Sequence, residues 1–287
     1  MRSDNTRNWS RREVLAAGLT AAGALALGGR ASLAAPPPDT GNQERFKLGL
    51  QSYSLRGYTK GGKPNLDKAL AVTKDLGLKY WEAYPAHVPT VSSPAEARKF
   101  IKQAADYGVT IIGYGVVGLG KDHDANKRCF DFAKAMDLGY LSADPDPDSF
   151  DGLDRLVEEY GIGVGIHNHG PGHRYGTIDA IADAIKDRNP KIGCCVDTGH
   201  FLRSREDPVR AIEVFGDRVF GVHLKDVKDA KTFTTLGKGD LRIADFLKAL
   251  AKIPYNYGLM IEYEENPQDP SDDIRACLDA YREALAG

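Results

Sequence analysis

The chain has 287 residues, 42% of them hydrophobic and 27% charged, which excludes an intrinsically disordered protein and allows either two small domains or one large α/β domain. The formal net charge of −2 argues against a nucleic-acid-binding surface, because such a surface normally carries a basic excess. The four cysteines show no regular spacing, so we expect buried free thiols rather than a disulfide framework.

The N-terminal residues 1–35 have the pattern of a twin-arginine signal peptide. Arg11 and Arg12 form the arginine pair, a mildly apolar run of alanine, glycine and leucine follows, and small residues precede a proline run at 36–38. The apolar run is shorter than the span of about 20 residues that a membrane anchor needs. We therefore expect cleavage near residue 35, export by the twin-arginine machinery to the periplasm, and no stable membrane anchor.

The net charge of the chain that would remain after cleavage indicates which partners to expect. Residues 1–34 contain five arginines and two acidic residues, so the remaining chain carries a formal charge of −5. An acidic protein has little electrostatic attraction for DNA or for an anionic membrane. We expect a small-molecule ligand and no nucleic-acid partner, and we leave open whether the protein forms an oligomer.

Residues 36–45 are interpreted as a linker, and beyond them short apolar runs alternate with amphipathic segments. The runs that predict strands are 47–53, 79–84, 109–117, 140–143, 162–167, 192–197, 219–224 and 257–262. The segments that predict helices are 65–76, 94–107, 122–138, 149–160, 177–188, 207–215, 243–252 and 270–285. Eight alternating pairs predict an α/β fold, a single (β/α)8 TIM barrel over 46–287, with an open doubly wound sheet as the alternative.

Helix boundaries are marked by capping residues. Ser93-Pro94 and Asp207-Pro208 each place an N-cap residue before a proline at the first helical position. Glycine follows five of the predicted helices, at Gly77, Gly108, Gly139, Gly161 and Gly216.

Polar side chains lie at the predicted strand ends, where the catalytic residues of a barrel are found. His167 and His169 are two residues apart at the end of the fifth strand, so their side chains project to the same side. The other strand ends supply Gln51, Tyr53, Glu82, Tyr84, Asp144, Asp197, His200, His223, Lys225, Asp226, Glu262 and Glu264.

Four consecutive strands each present one side chain that can bind a metal ion: His167, Asp197, His223 and Glu262. Taken singly, each has an ordinary structural explanation, such as a helix cap for Asp197 or an ion pair for Glu262. Converging carboxylates repel each other unless a cation neutralises them. Two imidazoles and two carboxylates suit Mn²⁺, Zn²⁺, Fe²⁺ or Co²⁺ better than Ca²⁺, so we predict one divalent metal ion.

Three strand-end sequences resemble those of the xylose isomerase-like barrel superfamily: Val196-Asp197-Thr198-Gly199-His200, Val222-His223-Leu224-Lys225-Asp226 and Ile261-Glu262-Tyr263. This superfamily contains sugar phosphate isomerases and epimerases, ketose 3-epimerases, hydroxypyruvate isomerases and inosose dehydratases. The resemblance covers residues 46–285 and includes a glycine-rich stretch at 236–240.

The resemblance implies roles for individual residues. Asp197, His223 and Glu262 would be metal ligands, and His200 and Lys225 would line the substrate site. Glu82 matches a second-strand carboxylate that is often near the substrate.

One position departs from the family pattern, because the fifth strand usually carries glutamate where this chain has His167. The ligand charge then sums to −2 rather than −3, which leaves a bound cation a stronger Lewis acid. The change also weakens an epimerase mechanism that uses two carboxylates. We expect His167 to bind the metal, with a role as base as the alternative and His169 as its neighbour or replacement.

These residues lead to three functional hypotheses. The first is a metal-dependent isomerase or epimerase that enolises a keto sugar, with Glu262 or His169 moving the proton and Lys225 or His200 stabilising the oxyanion. The second is a hydratase, dehydratase or lyase on 3-keto sugars or glycosides, favoured by the missing glutamate and by export. The third is a non-catalytic sugar-binding barrel that uses Tyr53, Trp81 and Tyr84. We expect Tyr53, Glu82 and Asp226 to contact the substrate.

Overall fold

A computed structural model describes residues 45–91 and 93–287. The predicted signal peptide and all of the predicted linker except Arg45 lie outside the described residues, as does the expectation about a membrane anchor. Within the described ranges, none of the helices combines the length and the apolar character needed to cross a lipid bilayer.

Eight parallel strands close into a barrel, which confirms the predicted fold and rules out the open sheet. They are β1 Lys47–Gln51, β2 Tyr80–Ala83, β3 Thr110–Leu119, β4 Tyr140–Pro145, β5 Gly163–His167, β6 Ile192–Asp197, β7 Val219–Leu224 and β8 Gly258–Ile261. Each strand pairs with its neighbours in chain order, and β1 closes the barrel by pairing with β8, where Leu48 lies opposite Leu259.

Helices follow the strands and cover the outside of the barrel. Those among the described residues are α1 Leu66–Asp75, α2 Pro94–Asp106, α3 His123–Ala135, α4 Phe150–Tyr160, α5 Ile178–Ile185, α6 Thr198–Arg203, α7 Pro208–Phe215, α8 Ile243–Leu250 and α9 Ser271–Ala286. The short helix α6 was not predicted, because it begins directly at the end of β6 and is too short to show an apolar periodicity. Two hairpins, Thr59–Lys60 with Lys63–Pro64 and Asp226–Lys228 with Thr232–Thr234, were also not predicted.

Side-chain caps begin several helices. The side chains of Asn65, Asp122, Thr177 and Asp207 each accept a backbone N–H from the first turn that follows. Ser93 stands at the N-cap position of α2, as predicted, although its side chain makes no capping hydrogen bond. The proline that follows Ser93 has no N–H, and its ring presets the helical φ instead.

The helix C-termini follow the glycine prediction with one exception. Gly161 ends α4 in the left-handed conformation, with φ 71°, and its N–H bonds to the carbonyl of Val157. After α3 the left-handed residue is Asp137, with φ 57°, and not Gly139. The helix ends three residues before the predicted boundary, and aspartate tolerates this backbone conformation better than most side chains.

The barrel interior beneath the functional residues is filled by a few large side chains, and glycine makes room for them. Tyr140 is buried at the centre of this layer. A Cβ at Gly221 would lie 2.9 Å from the Tyr140 ring, and one at Gly113 would overlap the ring. All four cysteines are buried and free, as predicted.

Candidate active site

The four predicted metal ligands lie together at the carboxyl end of the barrel. His167 ends β5, Asp197 ends β6, His223 lies near the end of β7, and Glu262 directly follows β8. All four are buried, and their ligand atoms lie within 4.8 Å of one another. Because the strands are parallel and adjacent, residues that end them converge: Asp197 is the ladder partner of His223.

The distances show which atom each side chain directs at the common centre. Nε2 of His167 lies 3.3 Å from Oδ2 of Asp197 and 3.0 Å from Nδ1 of His223. Nδ1 of His223 lies 3.1 Å from Oε2 of Glu262. One ring nitrogen from each histidine and one oxygen from each carboxylate therefore face the same small volume.

Two of these atoms lack a normal partner. Oδ2 of Asp197 and Oε2 of Glu262 are buried, and neither accepts a well-aligned hydrogen bond from the described residues, although the Lys225 ammonium lies within 3.4 Å of both. A buried carboxylate oxygen without a well-aligned donor is costly and rare in native proteins. Two imidazole nitrogens and two such oxygens are the donor set that a first-row divalent ion prefers, so the residues present fit a metal ion held by these four side chains.

Charge around the cluster keeps its carboxylates ionised. Burial acts to raise the pKa of Asp197, but the charged Lys225 beside it outweighs that effect and holds the pKa well below its usual range. Burial also acts to raise the pKa of Glu262, but the charge of Lys225 exceeds that effect and the pKa is lowered. Both side chains are therefore available as anionic ligands at neutral pH.

Lys225 is the cation closest to both carboxylates. Its ammonium lies 3.1 Å from Oδ2 of Asp197 and 3.4 Å from Oε2 of Glu262, and it bonds to Oε1 of Glu264. Burial acts to lower the pKa of Lys225, but these three carboxylates more than offset it and hold the pKa above its usual range. Lys225 is therefore a charged hydrogen-bond donor at the edge of the site.

A cavity of about 280 Å³ opens beside the cluster and has the size of a small-ligand site. Its lining comprises Gln51, Tyr53, Tyr84, Gly115, Val116, His167, His169, His200, Lys225, Glu262 and Glu264. All the predicted catalytic residues and Tyr53 are in this set, whereas Asp197 and His223 lie behind it. A larger cavity of about 570 Å³ adjoins Phe46 and Tyr281 at the start of β1 and has none of these polar groups.

His169 and His200 are neutral imidazoles in the cavity wall. Burial lowers the pKa of His169 to about 4 and that of His200 to about 3. The His169 ring lies 4.8 Å from that of His167, and Nε2 of His200 lies 4.0 Å from Oε1 of Glu264. A neutral imidazole offers one donor and one acceptor, so either residue can receive a proton.

Glu82 and Asp226, which were expected to contact the substrate, lie outside the cavity lining. The carboxylate of Glu82 is fully buried and accepts a hydrogen bond from Nε2 of His223 at 2.9 Å. The carboxylate of Asp226 is engaged by the backbone N–H groups of Val227, Gly237, Gly239 and Leu241. This geometry gives both residues structural contacts in place of the expected substrate contact.

Of the three aromatic residues expected to hold a sugar in a non-catalytic barrel, two lie in the cavity wall and one does not. The rings of Tyr53 and Tyr84 meet edge to face at 5.0 Å in the cavity wall, and the Arg56 guanidinium lies 4.3 Å over the Tyr53 ring. Trp81 is completely buried, so it cannot form a surface for a sugar. Glu82, the next residue in β2, points into the barrel, so strand alternation places Trp81 on the opposite, helix-facing side.

A second group of metal-capable side chains lies nearby: Asp144, His169 and His173. Nδ1 of His173 accepts the backbone N–H of Tyr175, so in the neutral ring the proton is on Nε2. That nitrogen lies 3.4 Å from Oδ2 of Asp144, where the proton points to the carboxylate. The arrangement is a hydrogen-bond network rather than a second set of ligands.

Comparison with known proteins agrees with this architecture. Residues 70–284 match the sequence profile of the xylose isomerase-like TIM barrel family. A 3-oxo-isoapionate decarboxylase from Pectobacterium atrosepticum is 28% identical over 200 residues, which cover 64% of this chain and 70% of the relative. An inosose dehydratase from Lacticaseibacillus casei is 23% identical over 257 residues, covering 80% and 86%.

Among solved structures, a D-psicose 3-epimerase from Clostridium cellulolyticum superposes with a TM-score of 0.66. It covers 84% of this chain and 99% of the epimerase at 16% identity. At that identity the superposition shows the shared fold alone.

Proposed function

The chain belongs to the xylose isomerase-like TIM barrel family, and from this we propose that it is a metal-dependent enzyme that removes the proton next to the carbonyl group of a keto sugar. The observation that carries the proposal is the buried cluster of two imidazoles and two carboxylate oxygens without well-aligned hydrogen bonds at the wall of a small cavity. His167, Asp197, His223 and Glu262 would hold the ion.

The ion, when bound, supplies Lewis-acid polarisation of a substrate oxygen. The chain supplies the proton transfers. His169 is a neutral imidazole in the cavity wall and accepts the proton from the carbon beside the carbonyl group. Lys225 keeps its charge and donates a hydrogen bond to the oxygen on which the negative charge develops.

The lining of the cavity favours an uncharged sugar. Among the described residues that form it, the permanently charged cation is Lys225, and three carboxylates surround its ammonium. A sugar phosphate would find no free cation among these lining residues. A keto sugar or a keto glycoside, with its hydroxyl groups, matches the neutral imidazoles and the Tyr53 and Tyr84 hydroxyl groups better.

We favour β-elimination as the fate of the enolate. The C–H bond breaks and its electron pair forms the enolate; the bond from the β carbon to oxygen then breaks, and that oxygen takes a proton to leave as water or an alcohol. His200, whose ring lies 5.8 Å from that of His167, is the second proton carrier in the wall. Both curated relatives have names that denote loss of a group, water in one and carbon dioxide in the other.

Epimerisation is the second candidate, because Glu262 and His169 are two proton-accepting groups in the same cavity wall. Returning the proton from the other face would invert the carbon. Against this, His167 stands where the family usually has a second carboxylate, so the pair of carboxylates used by the family's epimerases is incomplete.

The two fates are separated by incubating the metal-loaded protein with ketoses and 3-keto glucosides in D₂O and following the products by NMR. Elimination gives an unsaturated ketone and a released alcohol, and epimerisation gives an epimer with deuterium at the reacting carbon. The variant His169→Gln keeps the size of the side chain, and we expect it to lose at least about 100-fold in rate. If the loaded enzyme causes neither deuterium exchange nor product formation with any keto sugar, the proposal is wrong.

A further inference from the structure

The face of His223 that points away from the ligand cluster rests on a buried carboxylate. Nε2 of His223 lies 2.9 Å from Oε1 of Glu82, whose side chain is 0% exposed. Glu82 belongs to β2 and His223 to β7, and β1 and β8 separate these strands around the barrel. The contact therefore crosses the barrel interior instead of linking neighbouring strands.

Glu82 is held in place by three further hydrogen bonds. Oε1 accepts from Nε2 of Gln51 at 2.7 Å and from Oγ of Ser142, and Oε2 accepts from the hydroxyl group of Tyr140 at 2.7 Å. Burying a carboxylate is costly even with partners, and an apolar side chain would fill the same space without that cost. Four donors directed at one carboxylate indicate that the position of Glu82 serves a function other than filling the barrel interior.

That function follows from the two nitrogens of the His223 ring. A neutral ring carries a proton on one nitrogen and a lone pair on the other. Glu82 is an acceptor, so it fixes the proton on Nε2 and leaves the lone pair on Nδ1. Nδ1 is the atom that lies 3.0 Å from Nε2 of His167 and 3.1 Å from Oε2 of Glu262.

We propose that Glu82 is a positioning residue for the metal centre: it holds the His223 ring in the orientation and the tautomer in which Nδ1 can bind the ion. The inference rests on the proposed function only in taking the four-residue cluster as a metal site. It replaces the substrate contact first expected of Glu82. Carboxylate partners of this kind typically change metal affinity by 10- to 100-fold.

The test compares Glu82→Gln and Glu82→Leu with the matched control Tyr140→Phe, which removes one bond to Glu82 but leaves its contact with His223. Zinc affinity is measured by competition with a chelator. We expect a loss of about 10-fold for Glu82→Gln, about 100-fold for Glu82→Leu, and less than about threefold for Tyr140→Phe. Circular dichroism checks that each variant is folded, and Glu82→Gln alone decides the matter if Glu82→Leu is not.

A second readout reports the tautomer directly. In the zinc-loaded, ¹⁵N-labelled protein we expect the Nε2–H proton of His223 far downfield and protected from exchange, and we expect Glu82→Gln to shift it upfield. Wild-type affinity together with an unchanged His223 signal in Glu82→Gln would overturn the proposal, as would an equal loss in Tyr140→Phe. Neither measurement uses a sugar, so a failure of the proposed reaction leaves this result interpretable.

Discussion

Two buried histidines, His223 and His87, differ in whether a carboxylate partners the ring. His223 directs one nitrogen at the metal cluster and the other at Glu82, so both of its nitrogens have partners. His87 lies outside the site, 3% exposed, with Nδ1 3.1 Å from Oγ of Ser52 and its ring stacked on Trp81. It has no carboxylate partner among the described residues, so it is stable only as the neutral ring.

Acid should therefore destabilise the fold through His87. Burial lowers the pKa of His87 to about 4, against about 6.5 in the unfolded chain. Between these values the unfolded state binds more protons, so the free energy of unfolding falls as the pH drops below about 6.5, by up to about 3 kcal/mol near pH 4. Above pH 6.5 the contribution is fully present.

Urea titrations of the wild type and of His87→Phe at pH 7.5 and pH 4.5 check this prediction. The phenylalanine variant loses the Ser52 contact at both pH values but has no proton to gain, so its stability should depend less on pH. If the free energy of unfolding falls by the same amount between pH 7.5 and pH 4.5 in both proteins, His87 does not cause the destabilisation by acid.

At the scale of elements, the loop after β7 depends on one carboxylate. Oδ1 of Asp226 accepts the N–H groups of Val227 and Leu241, and Oδ2 accepts those of Gly237 and Gly239. These bonds tie the glycine-rich stretch to the end of the barrel strand. The loop thus starts from a fixed point three residues after His223 and one after Lys225.

Asp226→Asn should lower the free energy of unfolding by about 3 kcal/mol, because an NH₂ group would then face two N–H donors that have no acceptor. The matched control is Asp240→Asn in the same loop, whose exposed carboxylate accepts a single N–H from Ala230, and it should change stability by less than about 1 kcal/mol. Chemical denaturation measures both. Similar values for the two variants would mean that the Asp226 bonds do not hold the loop.

At the scale of the whole molecule, a bound ion should stabilise the barrel, since its four ligands come from four different strands. An ion at 100 times its dissociation constant adds about 2.7 kcal/mol, which for a domain of this size raises Tm by about 5 to 10 °C. Thermal unfolding with added Zn²⁺ or Mn²⁺, and again after treatment with a chelator, measures the shift.

His223→Ala is the companion variant. It should stay folded, bind no ion by elemental analysis, show no Tm response to the metal and have no activity. A His223→Ala protein that holds the ion at full stoichiometry would contradict the assignment of the ligands.

The order of the eight barrel strands and of the eight longer helices, the barrel and the residues at the strand ends were readable in the sequence. Residue periodicity reports which face of an element is buried, and a parallel barrel brings all its strand ends to one side. Export by the twin-arginine route stays a prediction, since it depends on residues outside the described part of the chain. Only the tertiary structure decided how the polar residues divide: Glu82 and Asp226 share the strand-end pattern of Lys225 and Glu262, yet they meet His223 and a loop backbone instead of the cavity. Sequence spacing determines the face on which a side chain lies, but its partners come from distant strands whose relative positions exist only in the closed barrel.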